Sequence, residues 1–307
     1  MDRVISSKYE PTAAASLFLG DRLELLAQIP PGSAKLIVTS PPYNIGKNYE
    51  KKVSLTKYLQ CQTDTLRYAY NALSWRGSLC WQVGNHIQDG EIFPLDTLLY
   101  PICKDLGLKL RNRIVWHFEH GLHCSRRFSG RYETILWFTK SDSYTFNLDP
   151  VRVPQKYPGK KAFKGPRLGQ YTCNPLGKNP GDVWVIPNVK HNHIEKTVHP
   201  CQFPIELVER LVLALTDKDD LVVDPYLGVG SAACAAVLHE RRAAGSEIVK
   251  EYLTIARQRV QAALECRLPR RPIDRPVYKP DPRTKIARRP VELDYLLLPM
   301  DPPDSPE

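Results

Sequence analysis

The sequence predicts an α/β fold in which a mixed, mostly parallel sheet carries helices on both faces. Three observations lead there. Short apolar, often β-branched runs alternate with longer segments of helical spacing in the first half and again after Pro204. Two of those runs stop at turns built from proline or glycine, Thr39-Ser40-Pro41-Pro42-Tyr43 and Asp224-Pro225-Tyr226-Leu227-Gly228-Val229-Gly230-Ser231. Between the two alternating parts lies a stretch without period, residues 147–196.

Residues 35–39 (KLIVT) read as a buried strand ended by the double proline. Residues 55–75 have helical spacing, 78–83 read as a strand, and 92–106 as a helix despite an internal proline, Pro101. Residues 108–116 and Tyr132–Thr139 read as strands. After the irregular stretch come a helix at Ile205–Leu215, a strand at 221–223, a helix at 232–240, a strand at 243–246 and a helix at 249–265. From Cys266 onward Pro and Arg dominate, which predicts a partly extended appendage. The expected organisation is a first half of the main domain over 1–146, an irregular insert over 147–198, a second half over 199–265 and a tail over 266–307.

The chain has 307 residues, 42% hydrophobic and 25% charged, which excludes a mostly disordered or fibrous chain. No apolar run approaches the roughly 20 residues of a membrane span. The opening MDRVISSKYE has no signal-peptide core, so a cytoplasmic protein without membrane contact is expected. The eight cysteines form no CxxC pair, which argues against a zinc ribbon or dithiol site. Two groups, His117, His120, His123 and Cys124, and His191, His193, His199 and Cys201, match no standard zinc spacing, and no metal is expected.

The net charge of +10 suits a polyanionic partner. Residues 147–196 carry nine Lys or Arg against three acids, more than half of the surplus, interleaved with Tyr157, Phe163, Tyr171 and Trp184. A long basic, aromatic-bearing segment has the composition of a nucleic-acid contact surface.

Each turn has its own chemistry. The glycines after the second strand let backbone pass close to a ligand at the carboxyl edge of a sheet, and Glu247, ending the next strand, is spaced to bond the ribose hydroxyls of a nucleoside. The prolines of the first turn lack backbone donors but keep their carbonyl acceptors, so that turn can receive an amino group while Tyr43 stacks on a flat ring.

With both turns in place, the sequence resembles the amino-methylating, S-adenosylmethionine-dependent DNA methyltransferases. Their catalytic turn matches as Ser40-Pro41-Pro42-Tyr43, and their cofactor loop as Asp224 to Gly230 with Tyr226 in place of the usual Phe. The segment HPCQFPIELVERLV before that loop resembles their additional cofactor motif, and the order of motifs resembles the β arrangement, with target recognition in between. The resemblance covers residues 17–265. It implies a Rossmann-like methyltransferase fold and S-adenosyl-L-methionine as cofactor, held by Asp21, Phe203, Pro204, Asp224, Pro225, Tyr226, Gly228, Gly230, Ser231 and Glu247. It implies double-stranded DNA as partner, touched by Lys156, Lys160, Lys161, Lys164 and Arg167 of the insert, and admits a cognate restriction endonuclease and a homodimer. Ser40 tilts the expected product toward N4-methylcytosine; N6-methyladenine is the alternative. Trp116 or Phe118 is a candidate wall for the base. A cytosine-C5 reading of Pro200-Cys201-Gln202 fails because the chain lacks the Glu-Asn-Val motif and PCQ precedes the cofactor loop. A DNA-binding protein without activity would keep the insert but need no cofactor loop.

Overall fold

The computed structural model describes residues 2–46, 50, 52–121, 123–273, 275–277, 281, 283 and 284. The chain divides into a compact unit ending at Arg275 and a second unit over 276–307.

The first unit is built on a nine-stranded sheet. Its strands are β1 (Asp2–Ser6), β2 (Ala13–Leu19), β3 (Ala34–Thr39), β4 (Leu73–Val83), β7 (Lys109–His117), β8 (Tyr132–Thr139), β9 (Val183–Val185), β10 (Leu221–Asp224) and β11 (Arg242–Glu247). β5 (Asn85–Gln88) and β6 (Glu91–Pro94) form a separate hairpin. The order in the large sheet is β1-β2-β11-β10-β3-β4-β8-β7-β9. Pairing is parallel from β1 to β4, antiparallel on both sides of β8, and parallel again between β7 and β9. The predicted mostly parallel, Rossmann-like sheet is therefore present.

Both faces are covered because the central strands alternate between two cores. Leu36 and Val38 of β3, Cys80 of β4, Val222 of β10 and Ile135 of β8 face one side. There they meet α4 (Ile205–Leu215), α5 (Ser231–Leu238) and α6 (Lys250–Leu264). Ile37, Leu79, Trp81, Val223 and Leu136 face the other side, against α1 (Arg22–Gln28), α2 (Leu55–Ala72) and α3 (Leu95–Asp105). A strand buried on both faces reads as a continuous apolar run. Each such side chain contributes roughly 1.5–3 kcal/mol by leaving water.

Several expectations need correction. The helix expected over 55–75 ends at Ala72, because Leu73 already belongs to β4 and is fully buried. The helix expected over 92–106 starts only at Leu95, behind Pro94; residues 91–94 pair in the hairpin. Inside the irregular stretch, Trp184 pairs with Trp116, and Trp184, Ile186 and Val189 are core residues. The tail does not leave the body at Cys266: Arg271 is buried, paired with Glu206, and its N–H bonds the Glu195 carboxylate at 3.1 Å.

Strand direction sorts the loops. β3, β10, β11, β4 and β7 all run the same way, so the turns after them share one edge. β8 runs back, so the chain enters the irregular stretch at the opposite edge. There Thr145 N–H bonds the carbonyl of Arg76, near the start of β4, and Asn147 N–H bonds that of Ala214, near the end of α4. The lysine-bearing excursion is closed at its root by paired backbone bonds between Val153 and Lys178, 2.9 and 2.8 Å.

Candidate active site

β3 and β10 are parallel neighbours, with Ile37 opposite Val223. Their carboxyl ends therefore lie side by side, at the place where an open α/β sheet binds ligands. A buried hydrogen bond clasps the two turns: the Thr39 hydroxyl donates to Asp224 Oδ1 at 2.6 Å. Burial pushes the Asp224 carboxyl up to about 7, against the pull of that hydroxyl and of the Tyr226 N–H at 3.1 Å. A single cavity of about 340 Å³ opens between the turns, a size within the roughly 300–1,000 Å³ of small-molecule sites.

The residues expected around a cofactor fall into two groups. Asp21, Phe203, Pro225, Tyr226, Gly228, Ser231 and Glu247 line the cavity. Asp21 also caps α1, accepting from Leu23 N–H at 2.8 Å. Glu247 ends β11 and accepts the N–H groups of Gly228 (2.9 Å) and Val249 (2.8 Å), which fixes the glycine turn beneath it. Gly228 has φ +54°, a left-handed conformation that disfavours any side chain. Asp224, Pro204 and Gly230 are not on the cavity wall. Asp224 lies behind it as the clasp. Pro204 leads into α4, and Gly230 (φ +79°) lets the turn close on α6, since a Cβ there would sit 3.0 Å from that of Ala256. Tyr226 turns its hydroxyl toward Thr65 (3.1 Å) and Gln62 (3.3 Å) on α2, beneath the Arg22 guanidinium.

Ser40, Pro41, Pro42 and Tyr43 line the same cavity, facing the glycine turn. The turn is fixed from behind by Asn44 (φ +58°), whose side chain exchanges two 2.7 Å bonds with the backbone of Val53. The Tyr43 hydroxyl donates to Glu133 Oε2 at 3.1 Å, and Gln82 Nε2 donates to the same oxygen. Ser40 Oγ lies 3.0 Å from that tyrosine hydroxyl. Since the tyrosine proton goes to Glu133, Ser40 must donate to the tyrosine oxygen, and the lone pairs of Ser40 stay available to an incoming N–H. Burial and the adjacent carboxylate raise the Tyr43 phenol well above its ordinary value, so it remains a donor. Burial likewise raises Glu133.

Gln82 and Glu133 were not singled out by sequence. Their signal was a polar residue at the site-edge end of an apolar strand. Trp116 and Phe118 both line the cavity, rings edge to face at 5.1 Å, with Trp116 anchored by a 2.8 Å bond to the Ile186 carbonyl. His199 also lines it; burial, then Lys196 and Arg259, hold the imidazole down to about 4, so it is neutral beside Gly228 at physiological pH. Among the described residues no group of three His, Cys, Asp or Glu is placed to hold a metal ion. Lys156, Lys160, Lys161, Lys164 and Arg167 are absent from the cavity wall; they sit on the exposed excursion with Tyr157, Phe163 and Tyr171. Three of the lysines lie over those rings at 5.0–5.7 Å.

The chain is similar to known proteins. The type II methyltransferase M.BglII of Bacillus subtilis is 47% identical over 255 residues, 83% of this chain and 71% of that protein. TTHA0409 of Thermus thermophilus, solved in complex with S-adenosyl-L-methionine, is 27% identical at a TM-score of 0.57 over 81% of this chain and 93% of that one. The PvuII DNA methyltransferase, cytosine-N4-specific, shares the fold at a TM-score of 0.64 and 22% identity, over 79% of this chain and 85% of that one. The model of the N6/N4 DNA methylase family matches residues 34–258, and the two clasped turns lie inside that match; the chain belongs to that family.

Proposed function

We propose that the chain transfers a methyl group to the exocyclic N4 of cytosine in double-stranded DNA, acting on a base flipped out of the helix. S-adenosyl-L-methionine is the cofactor. When bound, it supplies an electrophilic sulfonium methyl. The observation that carries the reading is the Thr39–Asp224 clasp, which sets an amino-accepting turn and a nucleoside-binding turn on two walls of one cavity.

The residues present fit that cofactor. Glu247, ending its strand, can receive ribose hydroxyls; Phe203, Tyr226 and Val229 offer apolar surface to a purine; and Gly228 leaves its wall open. Opposite, an exocyclic amino group is a poor nucleophile because its lone pair is delocalised into the ring. Ser40 Oγ and the Pro41 carbonyl accept its two N–H bonds and favour a tetrahedral nitrogen. With the cofactor bound, that nitrogen would receive the sulfonium methyl, S-adenosylhomocysteine would depart with the carbon–sulfur electron pair, and one amino proton would pass to solvent. Positioning supplies most of the rate, and no covalent enzyme intermediate is required. Tyr43, Trp116 and Phe118 bound the space for the flipped base.

Cytosine is favoured over adenine because Ser40 stands where relatives acting on adenine more often carry Asp. Incubation of DNA with the protein and S-adenosyl-L-methionine, digestion to nucleosides and mass spectrometry test this. N4-methylcytosine is expected; N6-methyladenine overturns the base assignment, and 5-methylcytosine or no methylated base overturns the reaction.

The insert is read as the duplex-binding surface that extends contact away from the cavity. Charge reversal at Lys160, Lys161 and Lys164 together should weaken binding and lower the slope of log affinity against log salt by about three. An unchanged slope removes these residues from the interface. Likeness to type II enzymes supports a role in restriction–modification, with a cognate endonuclease of the same specificity as its partner in the cell. Such a role is cytoplasmic, and no described helix is long and apolar enough to cross a membrane.

A further inference from the structure

We infer that the β7–β8 loop, through its described residues 118–121 and 123–131, docks on duplex DNA at the rim of the cavity, and that Phe128 enters the base stack beside the flipped target. The inference rests on the base-flipping reading above and adds an element to it.

Direction places the loop. β7 ends at the edge shared by the two clasped turns, and β8 starts from it, so this loop leaves the sheet at the edge where the cavity opens. The irregular stretch that carries the lysines is entered from the opposite edge, at Thr145. The residues where the loop joins the sheet make the connection physical: Phe118 on one side and Glu133 on the other both line the cavity.

The tip has the chemistry of a duplex wedge. Phe128 is 102% exposed, the most exposed large apolar side chain among the described residues. Arg126 and Arg127, immediately before it, are exposed too, and neither joins an ion pair among the described residues. The tip is held: Cys124 N–H donates to Ser129 Oγ at 3.0 Å, and the Arg127 guanidinium reaches the Gly90 carbonyl on the neighbouring hairpin at 3.4 Å. Against three arginines the loop carries one acid, Glu119. An apolar ring presented to solvent between cations suits a polyanion whose interior is apolar. Duplex DNA provides both, phosphates for the arginines and a base step for the ring. A base leaving the stack opens such a step.

The test compares Phe128→Ala with the unaltered protein in single-turnover methylation of two oligonucleotide duplexes. One contains a site that the protein methylates; the other has the same target base opposite an abasic position. An exposed ring stabilises no core, so the variant keeps its fold and its affinity for S-adenosyl-L-methionine. The rate on the intact duplex should fall about tenfold or more, and recover to near the unaltered value on the abasic duplex, where little remains to be opened. Equal loss on both duplexes, or no loss on either, overturns the inference. A change confined to oligomeric state in gel filtration overturns it in favour of a second copy of the chain as occupant. Inactivity of the unaltered protein on both duplexes would instead overturn the methylation reading itself. Paired replacement Arg126→Glu with Arg127→Glu should lower the salt slope by about two; an unchanged slope removes the loop from the interface.

Discussion

Ser40→Ala is expected to lower the methylation rate on the order of 100-fold while S-adenosyl-L-methionine binds with nearly unchanged affinity. Its hydroxyl holds the end of a polarised chain running Gln82, Glu133, Tyr43, Ser40. The carboxylate accepts the hydrogen bond of the tyrosine O–H, the tyrosine oxygen accepts that of the serine O–H, and the serine oxygen keeps its lone pairs as acceptor. Alanine removes an acceptor needed only when the amino nitrogen becomes tetrahedral, so the loss belongs in turnover and not in cofactor affinity. Removal of one such preorganised partner costs about 10²–10³ in rate. Calorimetric titration with S-adenosyl-L-methionine beside single-turnover rates separates the two. Parallel loss of both quantities contradicts the role given to Ser40.

Gly228→Val should do the reverse and remove measurable cofactor binding, with a dissociation constant raised about 100-fold or more, which is roughly 2.7 kcal/mol. Two effects add. The residue has φ +54°, where a β-branched side chain is strained. A Cβ there stands in ordinary contact with His199, 3.4 Å away, so the valine methyls extend into the cavity that both residues line. Gly228 N–H also anchors Glu247, so a shifted turn releases the carboxylate assigned to the ribose. Circular dichroism separates loss of fold from loss of the site. Ordinary binding by a folded variant removes the glycine turn from the cofactor site.

The core strands and the two turns were legible because burial on both faces leaves an uninterrupted apolar run, and the turns break such runs abruptly. β3, β8 and α4 fall where periodicity placed them or within a residue of it. β2 escaped notice because Ala13, Ala14 and Ala15 are too small to stand out, though all three are buried. α1 is only seven residues, two turns, too short for a period. Trp184, Ile186 and Val189 were hidden among prolines and asparagines, since three strand residues bonded to β7 need no flanking pattern of their own. Arg271 was masked by the Pro/Arg composition around it; its burial depends on Glu206, 65 positions earlier. The site divides in the same way. Ser40 and Gly228 sit in turns with local signatures, whereas the bond of Glu133 to Tyr43 joins residues 90 positions apart, a relation that no local pattern carries. The insert lysines expected to touch DNA are exposed, but charge alone carries no information on where the insert departs from the sheet.

The most direct measurement is photochemical labelling with S-adenosyl-L-methionine tritiated on its methyl group, followed by peptide mapping. Label is expected to saturate, to be displaced by S-adenosylhomocysteine, and to appear in peptides carrying Tyr43, residues 199–203 or residues 225–229, the walls that the Thr39–Asp224 bond brings together. Label confined to residues 153–178, or incorporation that neither saturates nor yields to the competitor, would contradict a methyl donor seated between the two turns.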